Sequence, residues 1–564
     1  MALRVIDVIT SFSGLLFLLT LGSSNAANQT IIVDTTLGAI KGLQMETRLG
    51  AKFWSFRGIR FAEPPVGDLR FRNPQPVKAW KPQVFDATQD GPMCPQITET
   101  RRSMLSEDCL RLNIYTKSLN SSSQLRPVIV YLHPGGFYLF SGISLDAGAQ
   151  NFLDRDIVLV TLNYRLGSLG FLALGREEAP GNMGLKDQVM ALRWIQQHVE
   201  KFGGDPKSVT LWGYSAGGMS VGLHMMSPMS KGLFHRAIMQ SGSPLAQFRY
   251  SSNQSVLAER QARLLKCPVR PVEDMMKCLK EKPMLDFVDT AGGMFEFELN
   301  PGLNWMPVVE VNGSQEKFLI EDPYRAMQNG HIHRVPLITG ITEYEFYYGA
   351  YDSLRNETER RRFNENFSKY APIYFFYERE TANSRRISEE IRSFYFQNTT
   401  LEFPRSLERF GELYADVVGF ENHRFLNMVS KHIPVYSYLF SYKGRYSTFR
   451  NPETNQTHGA MHLDELWYLL YLPEITPLFK KEDPEDLVIE RLSRMWYEFA
   501  KKSDPNNCTD EYLKNLKWPL YDNRNKQFLE IGNDLNVRTN GIFLERMQLW
   551  DRLFPIEDMI NKNL

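Results

Sequence analysis

Val209-Thr210-Leu211-Trp212-Gly213-Tyr214-Ser215-Ala216-Gly217-Gly218-Met219-Ser220-Val221-Gly222 is the stretch whose reading decides the fold. Its first four residues are a short apolar run of β type, and the residues after Ser215 are small. Between them Gly213-Tyr214-Ser215-Ala216-Gly217 fits Gly-x-Ser-x-Gly. A serine at a sharp strand-to-helix turn adopts a strained backbone, and side chains two positions to either side would clash there, hence the flanking glycines. Such a turn projects the hydroxyl from the sheet with a helix N-terminus beneath it. The bland alternative is a glycine-rich turn holding an ordinary serine.

Working outward, Val128-Ile129-Val130-Tyr131-Leu132 and Asp156-Ile157-Val158-Leu159-Val160-Thr161-Leu162 read as buried strands. Leu185, Val189, Leu192, Ile195 and Val199 recur at spacings of three and four, which predicts a helix. Gly203-Gly204-Asp205-Pro206 reads as the turn that leads into the Val209–Trp212 strand. Strand, helix, strand in that order predicts a parallel sheet wrapped by helices. The charged, aromatic-rich stretch from about 350 to 430 reads as helical and placed to cap the sheet.

The chain has 564 residues, and its 65 Lys+Arg balance its 65 Asp+Glu. That balance gives no basic surface for nucleic acid or for an anionic membrane. At the N-terminus, Arg4 precedes an apolar run through Leu15–Leu19, and Ser24 and Ala26 follow as small residues. Residues 1–26 are therefore expected to be a secretory signal, with 27–564 the mature region and no stable membrane anchor. Export agrees with sequons at Asn28, Asn120, Asn253, Asn312, Asn356, Asn366, Asn398, Asn455 and Asn507. It also agrees with the cysteines: Cys94 and Cys109 are close in sequence, as are Cys267 and Cys278, and each pair could close a loop in an oxidising compartment. Cys508 is left over and is expected to be a buried free thiol. No cysteine spacing suggests a metal site.

His133-Pro134-Gly135-Gly136-Phe137 directly follows the Val128–Leu132 strand. Consecutive glycines let backbone N–H groups approach a ligand closely. The amides of Gly135, Gly136 and Ala216 are the expected donors to a developing oxyanion. A tight turn that binds nothing is the alternative.

With these blocks in view, the chain resembles the type-B carboxylesterase and cholinesterase family, including its secreted insect esterases. The resemblance also rests on Phe56-Arg57-Gly58-Ile59-Arg60-Phe61-Ala62-Glu63-Pro64-Pro65-Val66-Gly67, Glu107-Asp108-Cys109-Leu110 and Asn163-Tyr164-Arg165-Leu166-Gly167. Gly181-Asn182-Met183-Gly184-Leu185-Lys186-Asp187-Gln188 and Phe202-Gly203-Gly204-Asp205-Pro206 extend it. It implies one catalytic domain of the α/β-hydrolase fold, a mostly parallel central sheet flanked by helices, acting on a small carboxylic ester without cofactor or metal. It implies the bridges Cys94–Cys109 and Cys267–Cys278.

A serine hydroxyl needs a base, and the base an orienting carboxylate. Ten histidines leave the base open by counting. The family pattern matches Gly459-Ala460-Met461-His462-Leu463-Asp464-Glu465, which nominates His462, with His458 the nearest rival. For the acid, the pattern aligned on Gly340 selects Glu345, followed by Phe346 where the family usually has glycine; Glu343 stays open as the alternative. The resemblance also suggests Ser241 as a support for the acid. The chain order Ser215, Glu345, His462 suits this fold.

Departures narrow the substrate. The Cys94–Cys109 loop has no aromatic residue to hold a cation by its ring face, which argues against acetylcholine. Tyr214 stands where cholinesterases carry glutamate and juvenile hormone esterases usually carry glutamine. Pro134 replaces a glycine of the usual run, and Arg111 an aromatic. The expected function is a serine ester hydrolase working through an acyl-enzyme; the alternative is a non-catalytic adhesion or ester-sequestering protein of the same fold. The natural ester and the oligomeric state stay open.

Overall fold

The computed structural model describes residues 29–561 apart from 120–124, 249, 252, 298–299 and 311–315. The expected signal segment and the sequons at Asn28, Asn120 and Asn312 lie outside the described residues.

One large sheet organises the chain. Its strands are β1 (Thr30–Asp34), β2 (Ala39–Glu46), β3 (Lys52–Arg60), β4 (Val84–Asp86), β5 (Arg111–Thr116), β6 (Arg126–Leu132) and β7 (Val158–Leu162). After a small ribbon of β8 (Ala173–Arg176) and β9 (Ala179–Pro180) come β10 (Gly204–Tyr214), β11 (Arg236–Gln240), β12 (Leu337–Thr342), β13 (Val435–Phe440), β14 (Phe528–Ile531) and β15 (Leu535–Arg538). The order is β1-β2-β3-β5-β7-β6-β10-β11-β12-β13-β14-β15, with β4 beside β2. From β7 to β14 every neighbouring pair is parallel, and antiparallel strands close both edges. This is the α/β-hydrolase architecture.

The apolar runs form central strands because both sheet faces are covered. In β6, Val128, Val130 and Leu132 enter one core while Ile129 and Tyr131 enter the other. The alternation of side chains along a strand thus divides one continuous run between two layers. The predicted 203–206 turn is displaced: β10 begins at Gly204, its register slips before Val209, and the chain reverses at Gly203 (φ +79°).

Helix α1 (Met183–His198) covers one face. The blocks that carry the family resemblance act here as polar pins. Arg165 grips Asp187 of α1 through Nε and Nη2 at 2.8 and 2.7 Å, and Lys186 reaches Glu310 at 2.6 Å. Asn163 accepts from the Gly142 amide and donates to the carbonyls of Pro92 and Cys109. Arg111, unexplained from sequence, bonds the Asp108 carboxylate at 2.6 Å and the Gly58 carbonyl at 3.0 Å.

Between β12 and β13 lies a helical layer, α3 (Tyr347–Arg355), α4 (Glu357–Tyr374), α5 (Ala382–Phe396) and α6 (Leu407–Val429), with its own aromatic core. Disulfides join Cys94 to Cys109 and Cys267 to Cys278. Cys508 corrects the sequence expectation: it is exposed. The turn around it is held by Asn507, whose amide nitrogen donates to Glu498 and whose oxygen accepts from Thr509, so Cys508 faces outward. Among the described residues no helix is long and apolar enough to cross a membrane, and no cluster of His, Cys, Asp or Glu is placed to hold a metal.

Candidate active site

Strand β6 has β7 on one side and β10 on the other, so the strand order reverses between β6 and β10. A crevice opens at the carboxyl ends of parallel strands at such a point. The glycine turn follows β6 and Ser215 follows β10.

Ser215 caps α2 (Ala216–Met226) at φ +57°, ψ −121°, the strained conformation expected of the turn. The spacing of its glycines has a direct steric cause. A Cβ on Gly213 would lie 2.1 Å from the Gly217 carbonyl oxygen, and one on Gly217 would lie 2.0 Å from that of Leu132. Gly135 (φ +110°) and Gly136 (φ +57°) are equally constrained, since a Cβ would meet the Leu139 carbonyl oxygen at 2.2 Å and the Tyr138 ring at 2.6 Å. Both glycines, Ala216, Ser215 and His462 line one cavity. The amides of Gly135 and Gly136 donate to no described backbone carbonyl, and Ala216 opens its helix, where an amide has no intrahelical partner.

The structure brings Glu345 and His462 together. The His462 Nδ1 donates to Glu345 Oε2 at 2.5 Å, and the Thr342 amide donates to the other carboxylate oxygen at 2.9 Å. Both side chains are buried. The two loops are stitched directly by the Tyr344 amide, which donates to the Ala460 carbonyl at 2.8 Å. Behind His462, Asp464 accepts bonds from Ser447, Thr448 and the Met461 amide, and Thr448 Oγ1 donates to the His462 carbonyl at 2.8 Å. The carboxylate that meets the imidazole is Glu345 and not Glu343. His458 is instead paired with Glu408 at 3.2 Å and stacked on Tyr347. His133 stacks on Tyr164, and burial lowers its pKa to about 4, so it stays neutral.

Ser241 does not touch the acid. Its hydroxyl donates to Tyr214 Oη at 3.0 Å, and the same phenol oxygen accepts from the Leu463 amide at 2.9 Å. Tyr214 therefore ties the strand that carries Ser215 to the loop that carries His462. Sequence reasoning treated Tyr214 only as a departure from other enzymes; its partner is 249 residues away, so no local signal exposes the role.

Phe346 was also a departure, and its geometry accounts for both the usual glycine and its replacement. The residue sits at φ +55°, where a side chain costs about 1–2 kcal/mol. Its ring stacks on the His462 imidazole at 4.0 Å between centroids, a contact glycine cannot make. Glu465 is a further buried acid. Burial, with Glu345 nearby, raises its pKa to about 8, while the Tyr438 phenol donates to it at 2.9 Å.

Comparison with known proteins places this arrangement. The carboxylesterase family pattern matches residues 29–550. The chain is 33% identical to juvenile hormone esterase of Tribolium castaneum over 527 residues, covering 90% of this chain and 88% of that protein. It is 35% identical to esterase FE4 of Myzus persicae over 505 residues, covering 86% and 87%. The crystal structure of juvenile hormone esterase from Manduca sexta with OTFP covalently attached matches with a TM-score of 0.82 and 27% identity, covering 93% of this chain and all of that one.

Proposed function

The chain belongs to the carboxylesterase family and hydrolyses carboxylic esters, and from that premise we propose that it does so through an acyl-enzyme on Ser215. The observation that carries this reading is the 2.5 Å bond from buried Glu345 to His462, which lines the same cavity as Ser215.

The ester carbonyl oxygen lies toward the amides of Gly135, Gly136 and Ala216. Ser215 Oγ attacks the carbonyl carbon while His462 Nε2 takes its proton, and Glu345 holds the imidazole in the tautomer that leaves Nε2 free and stabilises the imidazolium. The three amides hold the oxyanion of the tetrahedral intermediate. The C–O bond to the alcohol breaks, and the alcohol departs with the proton from His462. Water then attacks the acyl-Ser215 ester with His462 as base, releasing the acid and restoring the serine. The molecule covalently attached in the Manduca sexta structure supports a covalent route for this fold. Phe346, against the imidazole, shields one of its faces from water.

The protein acts outside the cell after loss of residues 1–26. Asn253, Asn356, Asn366, Asn398 and Asn455 are exposed and open to glycosylation, and Asn507 is half-buried.

Fluorophosphonate labelling with p-nitrophenyl ester kinetics tests the mechanism. Wild type labels at Ser215 and shows an acyl burst; Ser215→Ala keeps its melting temperature and loses both. Undiminished ester hydrolysis by Ser215→Ala would sink the assignment, and a well-folded wild type that never labels would return the protein to the binding reading.

A further inference from the structure

The cavity holds a carboxyl group that the reaction above does not use. Glu421 on α6 is only 6% exposed and lines the cavity with Ser215 and His462. The Ser243 backbone amide lies beside it and favours its charged form. No Lys, Arg or His among the described residues forms an ion pair with it. Arg424, on the next turn of α6, is committed to the Phe554 carbonyl and to the Tyr324 hydroxyl.

Two contacts place this carboxyl at the reactive end of the cavity. The Ser243 amide belongs to the turn 241–243, and that turn lies against the nucleophile: a Cβ on Gly242 would be 2.1 Å from the Ser215 carbonyl oxygen. The walls nearby are apolar, with Val417 and Val418 from α6 and Met219 from α2. Burial without a cation, and Glu345 close by, raise the Glu421 pKa well above the usual range. A carboxyl in that setting is an uncharged acid with one O–H to donate. A buried donor facing apolar walls is costly until it finds an acceptor.

We propose that the Glu421 carboxyl donates a hydrogen bond to a second oxygen of the substrate, a few bonds from the scissile carbonyl. The favoured substrates are then esters with an ether, keto or hydroxyl oxygen near the ester group, over hydrocarbon esters of equal length. This rests on the Ser215 mechanism and adds a substrate class to it.

The test compares wild type, Glu421→Gln, Glu421→Leu and Glu421→Met on esters matched in length. One pair is p-nitrophenyl 3-methoxypropanoate and pentanoate; a second carries the ether oxygen in the alcohol. The readout is the ratio of kcat/KM, oxygenated over hydrocarbon, for proteins that label normally with fluorophosphonate. The ratio falls about tenfold in the Leu and Met variants, the size of one hydrogen bond, and stays within about threefold of wild type in Gln, which still donates. Both esters losing rate together, or a ratio unmoved in both pairs, overturns the proposal. So does a wild-type preference for an ammonium-bearing ester that Gln and Leu lose alike, because that marks a carboxylate site. Wild type that fails to label marks failure of the mechanism itself, separately from the role of Glu421.

Discussion

Among single residues, the sharp turn at Ser215 was readable because its constraint is steric and local: carbonyl oxygens lie within about 2.1 Å of where the flanking Cβ atoms would stand, so the glycines announce the turn. The carboxylate that meets His462 was not readable that way. Glu343 and Glu345 are the same residue type two positions apart, and only the fold shows which one meets His462. Ser241 was misplaced for the same reason, since its partner is the Tyr214 phenol and not a carboxylate. Tyr214→Phe removes the acceptor for the Leu463 amide and leaves a buried donor unpaired, at a cost of about 1–3 kcal/mol. We expect a lower melting temperature together with slower fluorophosphonate labelling, because the loop of His462 loses its tie; unchanged labelling would mean that the tie does not position the base. Gly136→Ala forces a Cβ into the Tyr138 ring at a left-handed backbone position. Displacing that amide should lower kcat by about 10²–10³, the usual loss for one oxyanion donor, in steady-state assays on a short p-nitrophenyl ester.

For strands and helices, the sequence reading was best where an element buries two faces. The runs in β6 and β7 are almost wholly apolar because each feeds two cores, and the period in α1 marks the face it buries. It failed at the start of β10, where glycine and proline suggested a turn but the neighbouring β6 pairs with Gly204 and extends the strand. Cys508 was misjudged because a lone cysteine carries no periodicity to say which way it faces. The Cys267–Cys278 bridge joins the end of one short helix (Ser255–Leu264) to the next (Val272–Glu281), with a sequence separation of 11. Replacing both cysteines by serine should lower stability by about 2–3 kcal/mol in urea titrations while leaving the labelling rate near wild type, since neither residue lines the cavity.

In the molecule as a whole, the balanced charge conceals an uneven distribution, with acids buried around the catalytic cavity. Burial raises Glu465 to about 8, so between about pH 4.5 and 8 the folded state holds a proton that the unfolded chain has released. The contribution of Glu465 is therefore present in full at acid pH and is lost as pH rises toward 8. Glu465→Gln does not titrate, so its melting temperature should gain on wild type from pH 5 to pH 8; a constant difference across that range would show that Glu465 does not change its proton uptake on folding. Composition could not show this, because it counts acids without saying which are dry.

The helical layer α3–α6 enters the chain after Glu345 and leaves it before His462. It supplies one side of the cavity, including Tyr348, Tyr374, Tyr414 and Glu421, and Ser215, Glu345 and His462 all lie outside it. In hereditary terms the layer is a cassette. A lineage can exchange residues 347–429 as one contiguous stretch of gene and inherit a new diet of esters with its chemistry intact.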